Sequence, residues 1–93
     1  MPIKVSHGAF EGEFSAWTAF KRNVLQWKRS DPLTILEEAA HNGGSIEPDD
    51  ALQLADRLDE VVDILQAHHR DMALQFATAC RRAAVAGESL KFE

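Results

Sequence analysis

Four histidines (His7, His41, His68 and His69), a single cysteine (Cys80) and the adjacent Glu37 and Glu38 are the side chains here that could hold a metal or move a proton. His68 and His69 are neighbours, and on a helix neighbours point about 100° apart, away from a common ligand. A zinc site would need His41 or His7 folded against one of them, with Asp71 or Cys80 completing it. No such ligand spacing is present, so these histidines are expected as solvated helix-end residues. His41–Ile46 has the outline of a calcium loop, with Gly44 at the turn, Ile46 at the apolar position and Asp50 at the end. Calcium takes about six to eight hard oxygen ligands, and Ala39, His41 and Gly43 stand where the loop needs acids. Cys80 falls on the apolar face of an alanine-rich stretch, the place of a small buried hydrophobe rather than a nucleophile. Glu37 and Glu38 lie side by side on a polar face, unlike a desolvated acid–base pair. No phosphate loop, nucleophile elbow or dinucleotide fingerprint occurs. The expectation is therefore no catalysis, no metal and no cofactor.

These residues ride on helices. From about Glu13 to Lys28, Phe14, Trp17, Phe20 or Lys21, Val24 and Trp27 or Lys28 follow the three-and-four spacing of one helix face, with Lys21, Arg22, Lys28 and Arg29 as a basic stripe beside it. Ser30-Asp31-Pro32 stops that helix and starts a short one to about His41, which Asn42-Gly43-Gly44 ends. Pro48 opens a third helix, with Asp49 and Asp50 in its first turn. Leu54, Leu58, Val61 or Val62, and Leu65 form its apolar stripe, and Asp49, Asp56, Asp59, Glu60 and Asp63 an acidic ridge. The apolar pattern lapses over residues 66–71, which predicts a break there or a bend in one long helix. A last helix runs from about Asp71 to Ala86, burying Met72, Phe76, Cys80 and Ala83, with Gly87 as its C-cap. Residues 2–13 read as an irregular lead-in. Ile3-Lys4-Val5 could form a short strand there, beside the alternating tail Ser89–Phe92.

The fold class that follows is all-α: one domain over residues 1–93, a three- to four-helix bundle with a short two-stranded pairing of the termini as an option. The chain has 93 residues, 45% of them hydrophobic and 27% charged, and a formal charge of −5. That balance argues against a nucleic-acid binder, which needs cations to neutralise phosphates. A lone cysteine excludes an internal disulfide and fits a reducing compartment. No stretch approaches the ~20 apolar residues of a membrane span. Cytoplasmic is the expected location.

Asp31-Pro32-Leu33, His41–Ile46, Pro48-Asp49-Asp50 and the closing Ala86-Gly87-Glu88-Ser89-Leu90-Lys91-Phe92 together resemble a group of small uncharacterised bacterial proteins. In that group a DPL helix leads into a His-Ser-Asp-x-Asp-Gly-x-Ile loop, then a Pro-Glu-Asp helix start, and the chain closes on A-x-x-G-E-x-L-x-F. The resemblance covers about Asp31 to Phe92 and departs at the loop, where the group's aspartates have no match at Asn42 and Gly43. It implies that turn and tail are structural signatures, and it carries over no activity and no functional residue.

The function expected from all this is a non-enzymatic protein–protein interaction module. Two alternatives stand beside it: a small-ligand or metal-binding module around His41, His68 and His69, and an acidic inhibitor of phage or toxin-neutralising type. Opposite charge stripes would orient a homodimer, and tryptophans would hold it. The expected partner-binding residues are Trp17, Lys21, Trp27, Lys28, Asp56 and Asp63.

Overall fold

Pro2–Val5 (β1) and Phe10–Glu13 (β2) alternate outward and inward residues and pair antiparallel, Pro2 opposite Glu13 and Val5 opposite Phe10. These strands open a computed structural model that describes residues 2–26 and 44–92. The expected irregular lead-in is thus a hairpin. Its turn is a single 3-10 turn, Ser6–Gly8, in which Gly8 takes φ 75° and His7 takes φ 62°. Gly8 meets a steric demand that few other residues accept, and His7 bears a modest strain.

Phe14–Leu25 (α1) buries Trp17, Phe20 and Val24, the face its spacing predicts. Phe14, assigned to the same face, is 51% exposed. Phe10 from β2 already lies against Trp17, ring centroids 5.2 Å apart, so the hairpin fills the space Phe14 was expected to take. Trp17 is the hub of the core. Its indole also packs on Phe20, on Phe76 and on Phe92, at 5.8, 5.7 and 5.5 Å. The expected continuation of α1 to Lys28, and the short helix from Pro32 to His41, lie outside the described residues.

Pro48–Val61 (α2) begins with its proline in the first turn and Asp49 and Asp50 behind it, as the sequence predicts. Ala51, Leu54, Ala55, Leu58 and Val61 are buried. A 3-10 turn, Val62–Ile64, then leads to Leu65 and Gln66 in extended conformation. Ala67–Val85 (α3) follows, starting four residues before the expected Asp71. The break therefore falls at 62–66 rather than 66–71. Buried Leu65 pulls the chain out of helix, and His68, His69 and Arg70 already belong to the first turns of α3. Ala73, Ala77 and Ala83 on α3, with Ala51 and Ala55 on α2, are fully buried and let the two helices share the largest helix–helix contact among the described elements. At the C-terminus of α3, Gly87 takes φ 69°, its N–H donates to the Ala84 carbonyl, and the Glu88 N–H donates to that of Ala83. This is a Schellman closure, and Gly87 is the C-cap its sequence position predicts.

Leu90–Lys91 (β4) pairs antiparallel with Ser45–Ile46 (β3), just before α2, so α2 and α3 form an antiparallel hairpin clipped at its open end. The expected pairing of the tail with Ile3-Lys4-Val5 reduces to one bridge, Val5 opposite Phe92. The all-α assignment is thereby corrected to a helix-dominated fold with two small β pairings.

The charge stripes also meet differently from the expectation. Asp56 and Asp59 are taken by Arg81 of α3, at 3.0 and 2.6 Å, and Glu60 by Arg57 within α2, at 2.7 Å. The hydrogen bonds to Asp59 and then Asp56 hold the Arg81 guanidinium above its ordinary pKa. Such exposed pairs contribute only about 0–1 kcal/mol each and serve as orientation rather than glue.

Cys80 is fully buried, and burial pushes its thiol up to about 12, against a smaller opposing effect of Arg81. A thiol reagent should therefore modify the folded protein only as fast as it opens. Cys80→Ser should lower stability by roughly 1–3 kcal/mol through a hydroxyl placed in an apolar core. Labelling of native protein at the rate of a free thiol would contradict this placement.

Candidate functional site

Asparagine is a poor helix-interior residue because its amide competes for backbone groups. Asn23, near the C-terminal end of α1, has a cross-chain task instead. Its Oδ1 accepts a hydrogen bond from the Gln66 backbone N–H, at 3.2 Å, where α3 begins. The same oxygen lies 2.9 Å from His69 Nδ1. A backbone N–H only donates, so the amide oxygen is the acceptor here, and His69 Nδ1 must carry a proton to share it. In the neutral ring Nε2 is then a bare lone pair.

His69 is 4% exposed and stands edge-on to Phe20, with ring centroids 5.9 Å apart. Burial first, and the neighbouring His68 second, hold its pKa below the ordinary value of 6.5, so near neutral pH the ring is uncharged. Its Nε2 has no hydrogen bond among the described residues. Nor is that atom sealed in the interior, since the ring forms part of the wall of a cleft of about 400 Å³. Asn23, Arg22 and Gln26 from α1 line the cleft with Gln66 and His68 from the start of α3. Arg22 is exposed and makes no ion pair among the described residues, and none of the described lining residues is a carboxylate. The lining thus offers several donors, one positive charge, the positive end of the α3 dipole and a single outward lone pair.

The expected solvated histidines are therefore only half right. His68 is exposed, but His69 is a core residue, and the two rings lie 4.0 Å apart between centroids rather than diverging. His41 lies outside the described residues. Among those described, no group of three or more His, Cys, Asp and Glu side chains could hold a metal ion. Of the expected partner-binding residues, Trp17 has no exposed surface and belongs to the core, which removes it as an interface anchor. Asp56 is engaged by Arg81, Lys21 is partly buried on α1, and Asp63 is exposed. Trp27 and Lys28 lie outside the described residues.

A second polar cluster joins the chain ends. Lys91 N–H donates to Ser6 Oγ, which lies 2.9 Å from His7 Nδ1, and His7 Nε2 lies 2.9 Å from Glu88 Oε1. Gln75 Nε2–H donates to the Gly8 carbonyl at 2.7 Å. The strained His7 backbone thus belongs to the strap that holds the N-terminal hairpin on α3 and β4.

Comparison with protein-family models, curated proteins and solved structures finds no match to this chain. No helix among the described residues is long and apolar enough to cross a membrane.

Proposed function

We propose that this chain is a small non-enzymatic interaction module whose recognition site is the cleft between α1 and the start of α3. One observation carries the reading: a nearly buried histidine, held by Asn23 through one nitrogen, has its other nitrogen without a partner among the described residues, and its ring lines a cleft. Unsatisfied polar atoms at such a position are costly unless water or a ligand meets them. The same reading takes the domain as a helical bundle of the resembled bacterial group, working in a reducing cytoplasm that suits its buried Cys80. Amide chemical-shift mapping tests it, using a panel of small anionic, cationic and neutral probes. Saturable shifts centred on Asn23, Gln26 and residues 66–70 are expected from one probe class. A panel that leaves those amides unmoved would overturn the reading.

A protein-partner reading has its own support in exposed apolar side chains, Phe14, Leu52, Ile64, Leu74 and Val85 among them. With Trp17 buried, self-association would rest on Trp27 and Lys28. Sedimentation of a species at 10.3 kDa at micromolar concentration would remove it.

A further inference from the structure

The geometry points to the chemical class the cleft takes: we propose that it binds a protonated oxyanion of the hydrogen-phosphate type. This inference rests on the cleft being a binding site and adds what binds there. Arg22, with no ion pair among the described residues, supplies the positive charge, and the Gln26 and Gln66 amides supply neutral donors on the same walls. Among the described lining residues there is no carboxylate to repel an anion. These features alone would suit any oxyanion. The discriminating group is His69. Because Asn23 Oδ1 accepts from the Gln66 N–H and only accepts, it fixes the His69 proton on Nδ1 and leaves Nε2 an acceptor, not a donor, on a ring that lines the cleft. A ligand that satisfies the lining must therefore accept from Arg22 and the amides and donate to Nε2. Inorganic hydrogen phosphate has acceptor oxygens and keeps a P–OH near neutral pH, whereas a monoester, with its second pKa at about 6, has mostly lost it. Sulfate has the same shape and charge without the hydroxyl, and would set an anionic oxygen against the lone pair. Acetate lacks the hydroxyl as well.

Exchanging a hydrogen bond at Nε2 for a contact between a lone pair and an anionic oxygen corresponds to roughly 5- to 150-fold in affinity, and that is the margin expected for phosphate over sulfate. The experiment is a titration of the full chain with inorganic phosphate and with sodium sulfate at one ionic strength, read by amide shifts and calorimetry. The expected result is saturable phosphate binding that moves Asn23, Gln26 and residues 66–70, with sulfate weaker by that margin. Arg22→Gln, an exposed change that spares the fold, should weaken phosphate binding. Equal or tighter binding of sulfate, shifts confined to other surfaces, or indifference to Arg22→Gln would overturn the inference. If neutral or cationic probes shift the cleft and phosphate does not, the oxyanion assignment fails while the cleft remains a binding site. If no probe of any class moves it, both fail.

Discussion

Trp17→Ala should cost about 3–5 kcal/mol, the range for deleting a buried aromatic. Domains of this size hold roughly 5–15 kcal/mol in total, so the variant should sit near its unfolding threshold. The size of the effect follows from where the indole lies. Phe10 comes from β2, Phe20 from α1, Phe76 from α3 and Phe92 from the tail, and each packs on Trp17. One truncation therefore loosens the hairpin, the helices and the C-terminal clip together. Trp17→Phe is the informative partner. The indole Nε1 has no hydrogen-bond partner among the described residues, so phenylalanine loses packing area but also removes an unmet buried donor. Its loss should be well below that of alanine. Urea denaturation followed by circular dichroism measures both, and a Trp17→Ala loss under about 1 kcal/mol would be out of keeping with a hub in the core.

Asn23→Ala should cost about 1–3 kcal/mol, since it leaves a buried ring N–H unmet and takes the acceptor from the Gln66 N–H. Asn23→Asp separates that structural role from the role in binding. A carboxylate still accepts from Gln66 and His69, so the fold should survive, while its charge should expel an anion from the cleft. The pH dependence carries a sign of its own. The folded state lowers the His69 pKa from 6.5, so the unfolded chain binds the proton more readily. Stability from this group is fully present above pH 6.5 and is lost as pH falls from there through the lower folded value. In Asn23→Asp the new carboxylate favours the charged ring, and this acid sensitivity should shrink or reverse. Melting curves across pH 5–7.5 would show it, and identical profiles in the two proteins would contradict the contact.

Local signals in the sequence announced what local physics decides. The spacing of Trp17, Phe20 and Val24, Pro48 at the start of α2, Gly87 beyond α3 and Cys80 on an apolar face all act within a turn or two of helix. What the sequence left hidden depends on distant partners. Phe14 is displaced by Phe10, which no helical periodicity can reveal. The tail alternates, but alternation alone cannot choose Ser45–Ile46 over Ile3–Val5 as its partner. His69 looked like the twin of His68, because only the packing of α1 against the start of α3 distinguishes them. Asn23 goes unremarked in the sequence, where its one signal is to be an asparagine inside a helix. Trp17 lies in the core rather than at a surface for the same reason: a tryptophan at a core-facing position is a core residue first.

The claim on which the cleft rests is the state of one ring. Long-range proton–nitrogen NMR of uniformly labelled protein at pH 7.5 reads it directly. The account predicts that His69 is neutral with its proton on Nδ1, that Nε2 shows the shift of an unprotonated nitrogen, and that Asn23→Ala releases this tautomer preference. A His69 ring protonated on Nε2, or on both nitrogens at that pH, would contradict it.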